Sequence, residues 1–404
     1  MKRFFLYIII LCGLLLMAGC HDRIVIPEEP EPQPAVEAER TVIVYIAGDN
    51  SLSRQIKQDT TEMATAKYQI PENVNFFIYI DDVANTPGIY QLSKEKGMQL
   101  WKKFDEELCS TDSLTMLKAL QDIVHHFPAH HYGITFWSHA TGWTPRRKTF
   151  GQDYHSGETQ GESEMEIPVL RDVLAQLPKF DYIFFDACFM QCIEVAYELR
   201  EVTNFIVGSP AEIPGPGAPY DKIIEALCNG DAKGIVQGYD SSYPCTYEGF
   251  KYPGVLLSCI DCTQLDALAE ATGHFLIPLF LGHTDLNPFL WNFQPYCDAE
   301  TSIGTFTYCF DMRTTMCRLL SEEDYATWMT TFDSAVPLHT LSSTKAWFAE
   351  QCRSFDGVVE VKDSTCYGGV SMFVPMAKYE AYGLNDDFQK TSWYKATGWD
   401  VTGW

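Results

Sequence analysis

The chain alternates short apolar runs with longer segments in which apolar residues recur every three to four positions. Runs of about four to eight apolar residues are typical of buried strands, and a period near 3.6 residues is typical of amphipathic helices. We predict strands at residues 41–47, 74–80, 132–137, 182–186, 205–208, 255–260 and 369–374. We predict helices at residues 53–68, 113–125, 167–176, 189–199, 220–228 and 265–276.

This alternation of strands and helices indicates the fold class. Helical crossovers between strands favour a mainly parallel sheet with helices on both faces, which is an α/β architecture. Residues 41–404 are long enough for one large domain, with a core at 41–250 and an elaborated C-terminal part at 251–404. Residues 280–365 are less regular and rich in aromatic residues, so the C-terminal part either extends the same sandwich or forms a subdomain.

Two predicted strands are each followed by a residue that can take part in nucleophilic catalysis. His139 follows the strand at 132–137, and Cys188 follows the strand at 182–186, at the start of the next predicted helix. The carboxyl ends of parallel strands face the ligand crevice, and helix N-terminal N–H groups stabilise a thiolate. Taken singly, an inert core cysteine and a hydrogen-bonded turn histidine are the ordinary interpretations. Their order in the chain, with Asp186 two residues before the thiol, favours a Cys/His dyad.

The segments around these residues resemble the clostripain family of cysteine peptidases. The similar blocks are Thr41–Leu52, Tyr132–Trp143, Asp186–Leu199, Gly208–Asp221 and Gly368–Pro375, in that order. The resemblance implies a caspase-like αβα sandwich in which His139 is the general base or imidazolium partner and Cys188 is the attacking thiolate, forming an acyl-enzyme. It also implies that backbone N–H groups of Cys188 and of the turn containing Gly142 stabilise the oxyanion. Neither a metal nor another cofactor is required for this chemistry.

The resemblance also bears on substrate specificity. Relatives in this family cut after Arg or Lys, and Asp186 matches the acidic residue that lines their pocket for the residue before the scissile bond (P1). A carboxylate there would form a charge-assisted pair with a guanidinium or ammonium group, although a helix-capping role is the alternative interpretation. This sequence departs from the family at Pro216, where active relatives carry a second acidic residue. We therefore expect either that Glu212 substitutes or that the preference for basic residues is weaker.

A long polar loop separates the two reactive residues. It carries Arg146–Arg147–Lys148 and continues through residues 154–164 without an apolar period. Some clostripain relatives mature by self-cleavage in this region, so the resemblance makes Lys148 a candidate processing site. We favour the alternative interpretation, which is a solvated basic turn.

The N-terminus has the pattern of a bacterial lipoprotein signal peptide at residues 1–19. A basic start precedes an apolar stretch at residues 4–16, and residues 17–20, Met-Ala-Gly-Cys, form a lipobox. We expect acylation of Cys20, which would anchor the chain to a membrane of the bacterial cell envelope. A transmembrane helix is the competing interpretation, but it needs about 20 apolar residues. Residues 20–40 are rich in Pro and Glu, as in a solvated tether.

The composition narrows the choice of partners. A formal charge of −25 over 404 residues disfavours nucleic acid and anionic surfaces as partners and is compatible with polypeptide substrates. The 14 cysteines are irregularly spaced, so we interpret those of the mature domain as core or strand-end residues. We expect a monomeric, lipid-anchored cysteine endopeptidase. A non-catalytic binding lipoprotein of the same fold and an enzyme of other thiol acyl-transfer chemistry are the alternatives.

Overall fold

The computed structural model describes residues 37–144, 149–154, 163–285, 296, 309–349 and 358–404, and its main feature is a mixed sheet. The strands are β1 (Ala38–Gly48), β2 (Val74–Asp82), β3 (Asn85–Ser93), β4 (Gly97–Lys103), β5 (Ala129–Trp137), β6 (Phe150–Asp153), β7 (Ser163–Met165), β8 (Phe180–Asp186), β9 (Thr203–Gly208), β10 (Cys245–Tyr247), β11 (Phe250–Tyr252), β12 (Ser258–Asp261), β13 (Phe310–Asp311), β14 (Leu338–His339), β15 (Ala346–Phe348), β16 (Val358–Glu360) and β17 (Ser371–Met372). Nine of these described strands form one sheet in the order β14-β12-β9-β8-β5-β1-β2-β3-β4. Strands β9, β8, β5, β1 and β2 are mutually parallel, and antiparallel strands extend both edges.

Helices cover both faces of this sheet. They are α1 (Ile56–Thr65), α2 (Ser113–His126), α3 (Ile167–Leu174), α4 (Ile193–Leu199), α5 (Tyr220–Asn229), α6 (Ala232–Asp240), α7 (Leu265–Phe280), α8 (Met312–Leu319), α9 (Glu322–Ala335), α10 (Leu384–Phe388) and α11 (Ser392–Thr397). Residues of α1, α5 and α6 form one core cluster, and residues of α2, α3, α4, α7, α8 and α9 form the other. The predicted α/β class with helices on both faces of a mainly parallel sheet is therefore confirmed.

Strand β1 illustrates why the central strands appear as unbroken apolar runs. Residues 42–47 are fully buried, because alternate side chains enter the two different core clusters. We call the side that receives Tyr45 the Tyr45 face, and the side that receives Val44 the Val44 face. A strand covered on both faces needs apolar residues at every position rather than at every second one.

The structure differs from the sequence prediction at the edges of the sheet. The hairpin β3–β4 was not predicted, because β4 is an edge strand that leaves much of its surface exposed and lacks an apolar run. Strand β12 runs antiparallel to β9, and β17 pairs with β13 outside the central sheet. The helix expected from residue 189 begins only at Ile193.

The boundaries of the domain also become clearer. The described residues between 37 and 404 form one unit, and β1 begins at Ala38, so the last residues of the predicted tether join the sheet through the Ala38–Ala129 pair. Leu268, Trp328 and Trp393 belong to the same core cluster as Tyr45, so the C-terminal part shares the core of the sandwich. None of the helices in the described ranges has the length and apolarity needed to cross a membrane.

One cysteine pair was not anticipated from the sequence. The structure joins Cys317 in α8 to Cys366 as a disulfide, although these residues were interpreted as core or strand-end cysteines. The other described cysteines, including Cys188, lie outside this disulfide and are thiols. The predicted signal peptide and Cys20 lie outside the described residues.

Candidate active site

The register of three neighbouring parallel strands brings the two predicted reactive residues together. Ile46 of β1 is paired with Trp137 of β5, and Trp137 is paired with Asp186 of β8. His139 lies two residues beyond the end of β5, and Cys188 lies two residues beyond the end of β8. Because these adjacent strands end at the same level, both side chains emerge at one edge of the sheet.

His139 and Cys188 line two pockets at this edge. The first has a volume of about 160 Å³ and extends to Asp59, Asp186 and Glu212. The second has a volume of about 230 Å³ and lies toward Ala140, Gln152 and Glu164. A thiol and an imidazole that border the same two pockets are accessible to a ligand lying across them.

A serine in the turn after β1 holds the imidazole. The Nε2 atom of His139 is 2.8 Å from Oγ of Ser51, which leaves Nδ1 as the ring nitrogen available to the thiol. When Nδ1 acts as the proton acceptor, Nε2 carries the hydrogen and donates it to the serine oxygen. Burial lowers the pKa of His139, so the ring is neutral at pH 7. Ser51 was not singled out from the sequence.

The turn that presents Ser51 is itself fixed by a buried asparagine. The Nδ2 atom of Asn50 donates to the carbonyl oxygens of Ala47 and Gln152 at 3.0 and 2.9 Å, and its Oδ1 accepts from the N–H of Leu52 at 2.9 Å. Asn side chains commonly stabilise turns by hydrogen bonds to nearby backbone groups. The Gly-Asp-Asn-Ser turn after an apolar strand is the sequence signal that could have identified this support.

Cys188 occupies a loop rather than the helix start predicted for it. Its sulfur accepts a hydrogen bond from the N–H of Ile213 at 3.3 Å, whereas α4 begins at Ile193. The pKa of the Cys188 thiol is raised to about 12, chiefly by burial and then by the charges of Glu212 and Asp186, while the hydrogen bond from the Ile213 N–H opposes the rise. The expected stabilisation of a thiolate by a helix terminus is therefore absent, and the resting thiol is neutral.

Asp186 lies at the floor of the first pocket and is 4% exposed. Its Oδ2 accepts from the N–H of Ala218 and the hydroxyl of Tyr220, both at 3.2 Å, and its Oδ1 accepts from the hydroxyl of Tyr239 at 3.3 Å. Burial raises its pKa to about 6, while these hydrogen bonds oppose the rise. These donors lie in α5, in α6 and in the loop before α5. They do not belong to the first turn of the helix that follows Asp186, so they do not correspond to the alternative role of Asp186 as a helix cap.

The remaining predicted site residues fall in different places. Glu212 lines the first pocket near the sulfur. Gly142 has a φ of +86°, and a Cβ built on it would lie 3.1 Å from the carbonyl oxygen of Phe189, so it allows a close approach of the two loops. Ala140 and Thr141, rather than Gly142, line the second pocket. Lys148 lies outside the described residues.

Asp59 is a pocket residue that the sequence reasoning missed. It belongs to α1, is 2% exposed, and lines the first pocket together with Asp186. Its pKa is raised to about 9, chiefly by burial and then by the charges of Asp186 and Glu62, while a hydrogen bond with Trp137 opposes the rise. An acidic residue within a helical apolar pattern is the only local signal, and it is a weak one.

Within the described ranges, no group of three or more His, Cys, Asp or Glu side chains has the arrangement of a metal site. The chemistry that this edge can support is nucleophilic attack by a thiol with an imidazole as proton acceptor. The adjoining acidic pocket can accept a cationic group.

Comparisons with known proteins agree with this chemistry. The clostripain family model matches residues 44–404 of the chain. Clostripain from Hathewaya histolytica is 25% identical over 221 residues, a match that spans 46% of this chain and only 42% of clostripain.

Two solved structures are similar over nearly the whole described domain. A secreted C11 cysteine protease from Bacteroides thetaiotaomicron, in complex with an irreversible peptide inhibitor, is 30% identical with a TM-score of 0.76. An inactive zymogen C11 protease from Parabacteroides distasonis is 25% identical with a TM-score of 0.73. Each similarity covers 90% of this chain and 99% of the other.

Proposed function

Because the chain belongs to the clostripain family, we propose that it is a cysteine endopeptidase that cleaves polypeptides after Arg or Lys. The observation that carries this proposal is that His139 and Cys188 border the same two pockets, one of which is lined by three buried carboxylates, Asp59, Asp186 and Glu212. Thiol, imidazole and acidic pocket are the three groups that such a reaction requires.

The directions of the two pKa shifts support a neutral resting pair. The raised pKa of Cys188 keeps its proton on sulfur, and the lowered pKa of His139 keeps the ring uncharged. In the proposed reaction, Nδ1 takes the proton of the thiol as sulfur attacks the carbonyl carbon of the scissile bond. The imidazolium then gives this proton to the departing amine, which leaves an acyl-enzyme.

Water completes the reaction. His139 removes a proton from a water molecule that attacks the thioester carbonyl, and that proton returns to the sulfur as the carboxylic product leaves. Backbone N–H groups, with that of Cys188 the main candidate, stabilise the oxyanion in both steps. The neighbouring N–H of Phe189 is not a candidate, because it already donates to the carbonyl oxygen of Ala211 at 2.9 Å.

We further propose that the chain is exported and anchored to a membrane by lipid at Cys20. The protein would then lie in the periplasm or on the outside of the cell. The lipobox and the Pro/Glu-rich tether support this location. The disulfide between Cys317 and Cys366 is also typical of proteins that fold in an oxidising compartment.

A second candidate function is a non-catalytic binding lipoprotein of the same fold. The observation that favours it is the strongly raised pKa of Cys188, which leaves almost no thiolate at neutral pH. In this case the pockets would hold a peptide without cleaving it.

The test compares the full-length chain in detergent with its Cys188→Ala variant, using fluorogenic peptides that differ only at P1. We expect hydrolysis of the Arg and Lys peptides by the wild-type chain and none by Cys188→Ala. Cys109 is also a half-buried cysteine outside the disulfide, so Cys109→Ala is the matched control and should remain active. Hydrolysis by Cys188→Ala would refute the mechanism. A wild-type chain that binds these peptides without cleaving them would favour the second candidate.

A further inference from the structure

Two carboxylates from distant parts of the chain meet at the floor of the first pocket. Asp59 comes from α1 and Asp186 from the end of β8. Gly217 lies beside both, since a Cβ built on it would be 3.6 Å from Oδ2 of Asp186 and 4.0 Å from Oδ1 of Asp59. The absence of a side chain at Gly217 keeps this end of the pocket open.

The two carboxylates differ in how far the protein already satisfies them. Both oxygens of Asp186 accept hydrogen bonds from Ala218, Tyr220 and Tyr239. Oδ2 of Asp59 has no hydrogen-bond partner among the described residues, although the side chain is almost completely buried. A buried acceptor without a donor is costly, and one whose residue borders a pocket, as Asp59 does, can receive a donor from a bound ligand.

Building on the proposed peptidase function, we propose that Asp59 is the specificity-determining residue that pairs with the cationic P1 side chain. Its open oxygen accepts a hydrogen bond from the ammonium of Lys or the guanidinium of Arg, and Asp186 adds negative charge at the floor. Asp59 thereby supplies the second acid that is missing from the turn at Pro216.

The walls of the pocket fit a long aliphatic stem with a charged end. Leu52, Trp137, Ile213 and Pro214 line the same pocket as the sulfur and the carboxylates. Lys and Arg side chains bury their methylene groups along such apolar surfaces while their charged ends seek a polar partner.

Glu212, the substitute expected from the sequence, has a different neighbour. Its charge is the second cause of the raised pKa of Cys188, after burial. The charges that raise the pKa of Asp59 are those of Asp186 and Glu62. Glu212 is therefore coupled to the sulfur, whereas Asp59 is coupled to Asp186, beside which Gly217 leaves the pocket open.

The test measures kcat/KM of the full-length wild type, Asp59→Asn and Asp81→Asn on matched peptides with Lys, Arg, Gln or norleucine at P1. We expect Asp59→Asn to lower kcat/KM for Lys and Arg at least tenfold while leaving the Gln and norleucine peptides within about threefold of wild type. Asp81 is also a buried carboxylate with a raised pKa, but it lies on the Tyr45 face, so Asp81→Asn should keep the wild-type ratio. An unchanged Lys-to-Gln ratio in Asp59→Asn would overturn the assignment.

A binding measurement separates this inference from the peptidase proposal. In the Cys188→Ala background, calorimetry should show that a Lys peptide binds at least tenfold more tightly than its norleucine analogue, and that adding Asp59→Asn removes this preference. If wild type cleaves no peptide but the preference and its loss are observed, the peptidase proposal fails and the role of Asp59 stands. If the preference is absent, or survives Asp59→Asn, the role of Asp59 is refuted even in an active enzyme.

Discussion

Asp59 and Asp81 are two buried carboxyl groups on opposite faces of the central sheet, and they differ in what they can reach. Asp59 lies on α1, which packs on the Val44 face, and it borders the pocket of Cys188. Asp81 lies near the end of β2, two residues after Tyr79, which packs on the Tyr45 face, and it is 0% exposed. Both oxygens of Asp81 lack hydrogen-bond partners among the described residues.

The raised pKa has the same physical cause at Asp59 and at Asp81. Burial is the largest cause of the raised pKa in each case, and a neighbouring carboxylate is the second, Asp186 for Asp59 and Asp153 for Asp81. A raised pKa therefore does not by itself distinguish a functional carboxyl group from a structural one. The distinction comes from access, because only Asp59 shares a pocket with the thiol and the imidazole.

The variant with the largest expected effect tests whether the pocket that Asp59 borders is an active site. Replacing His139 by Ala should lower kcat for the Lys peptide by about 10³-fold, because the neutral thiol then has no proton acceptor. Labelling of Cys188 by a small alkylating reagent should persist at high pH, which would show that the sulfur remains accessible. Asp81→Asn serves as the comparison and should keep kcat near the wild-type value. A His139→Ala variant with wild-type kcat would remove the basis for calling this edge catalytic.

A smaller effect concerns the stability of the two carboxyl sites. When a carboxyl group has a higher pKa in the folded chain than in the unfolded chain, the protein loses stability as the pH rises from the unfolded pKa to the folded pKa. For Asp59 this interval runs from 3.8, the usual pKa of an aspartate, to about 9. We expect Asp59→Asn to increase the free energy of unfolding by about 1 to 3 kcal/mol at pH 8 and by less at pH 5. Asp81→Asn should act in the same direction.

Urea unfolding at the two pH values measures this effect. We expect both variants to gain free energy of unfolding, and only Asp59→Asn to lose selectivity for Lys. That result would show that burial destabilises both carboxyl groups, whereas only Asp59 contributes to specificity. If Asp59→Asn instead destabilises the protein at pH 8, the carboxyl group is ionised and paired in the folded chain, and the contrast between the two sites is wrong.

The smallest expected effect concerns the serine that holds the imidazole. Ser51→Ala removes the hydrogen bond to Nε2 of His139, so kcat should fall about fivefold to tenfold, which corresponds to about 1 kcal/mol, while KM stays unchanged. Ser53 lies in the same turn, and its hydroxyl accepts from the N–H of Val83, so Ser53→Ala is the matched control. Equal losses in the two variants would indicate a general disturbance of the turn rather than orientation of the ring.

Much of the fold could be predicted because its signals are local. Buried parallel strands such as β1 and β8 appear as continuous apolar runs, and α2 begins at the predicted Ser113 because Asp112 caps its first N–H groups. The β3–β4 hairpin was missed because an exposed edge strand has no such run. Helix α4 was predicted four residues too early, because the apolar residues that follow Cys188 pack in the core as a loop.

The sequence by itself determined that a histidine and a cysteine follow two neighbouring strands, because strand ends and reactive side chains are both visible within a few residues. Only the tertiary structure decided that Ser51 holds the imidazole, that the thiol lies away from a helix terminus, and that Asp59 joins Asp186 in the pocket. These outcomes depend on which distant segments pack together, and on how much water the packing removes from each charged group. The burial of a charged group and the distance between residues from distant segments are properties of the folded chain, so they cannot be read from a short segment of the sequence.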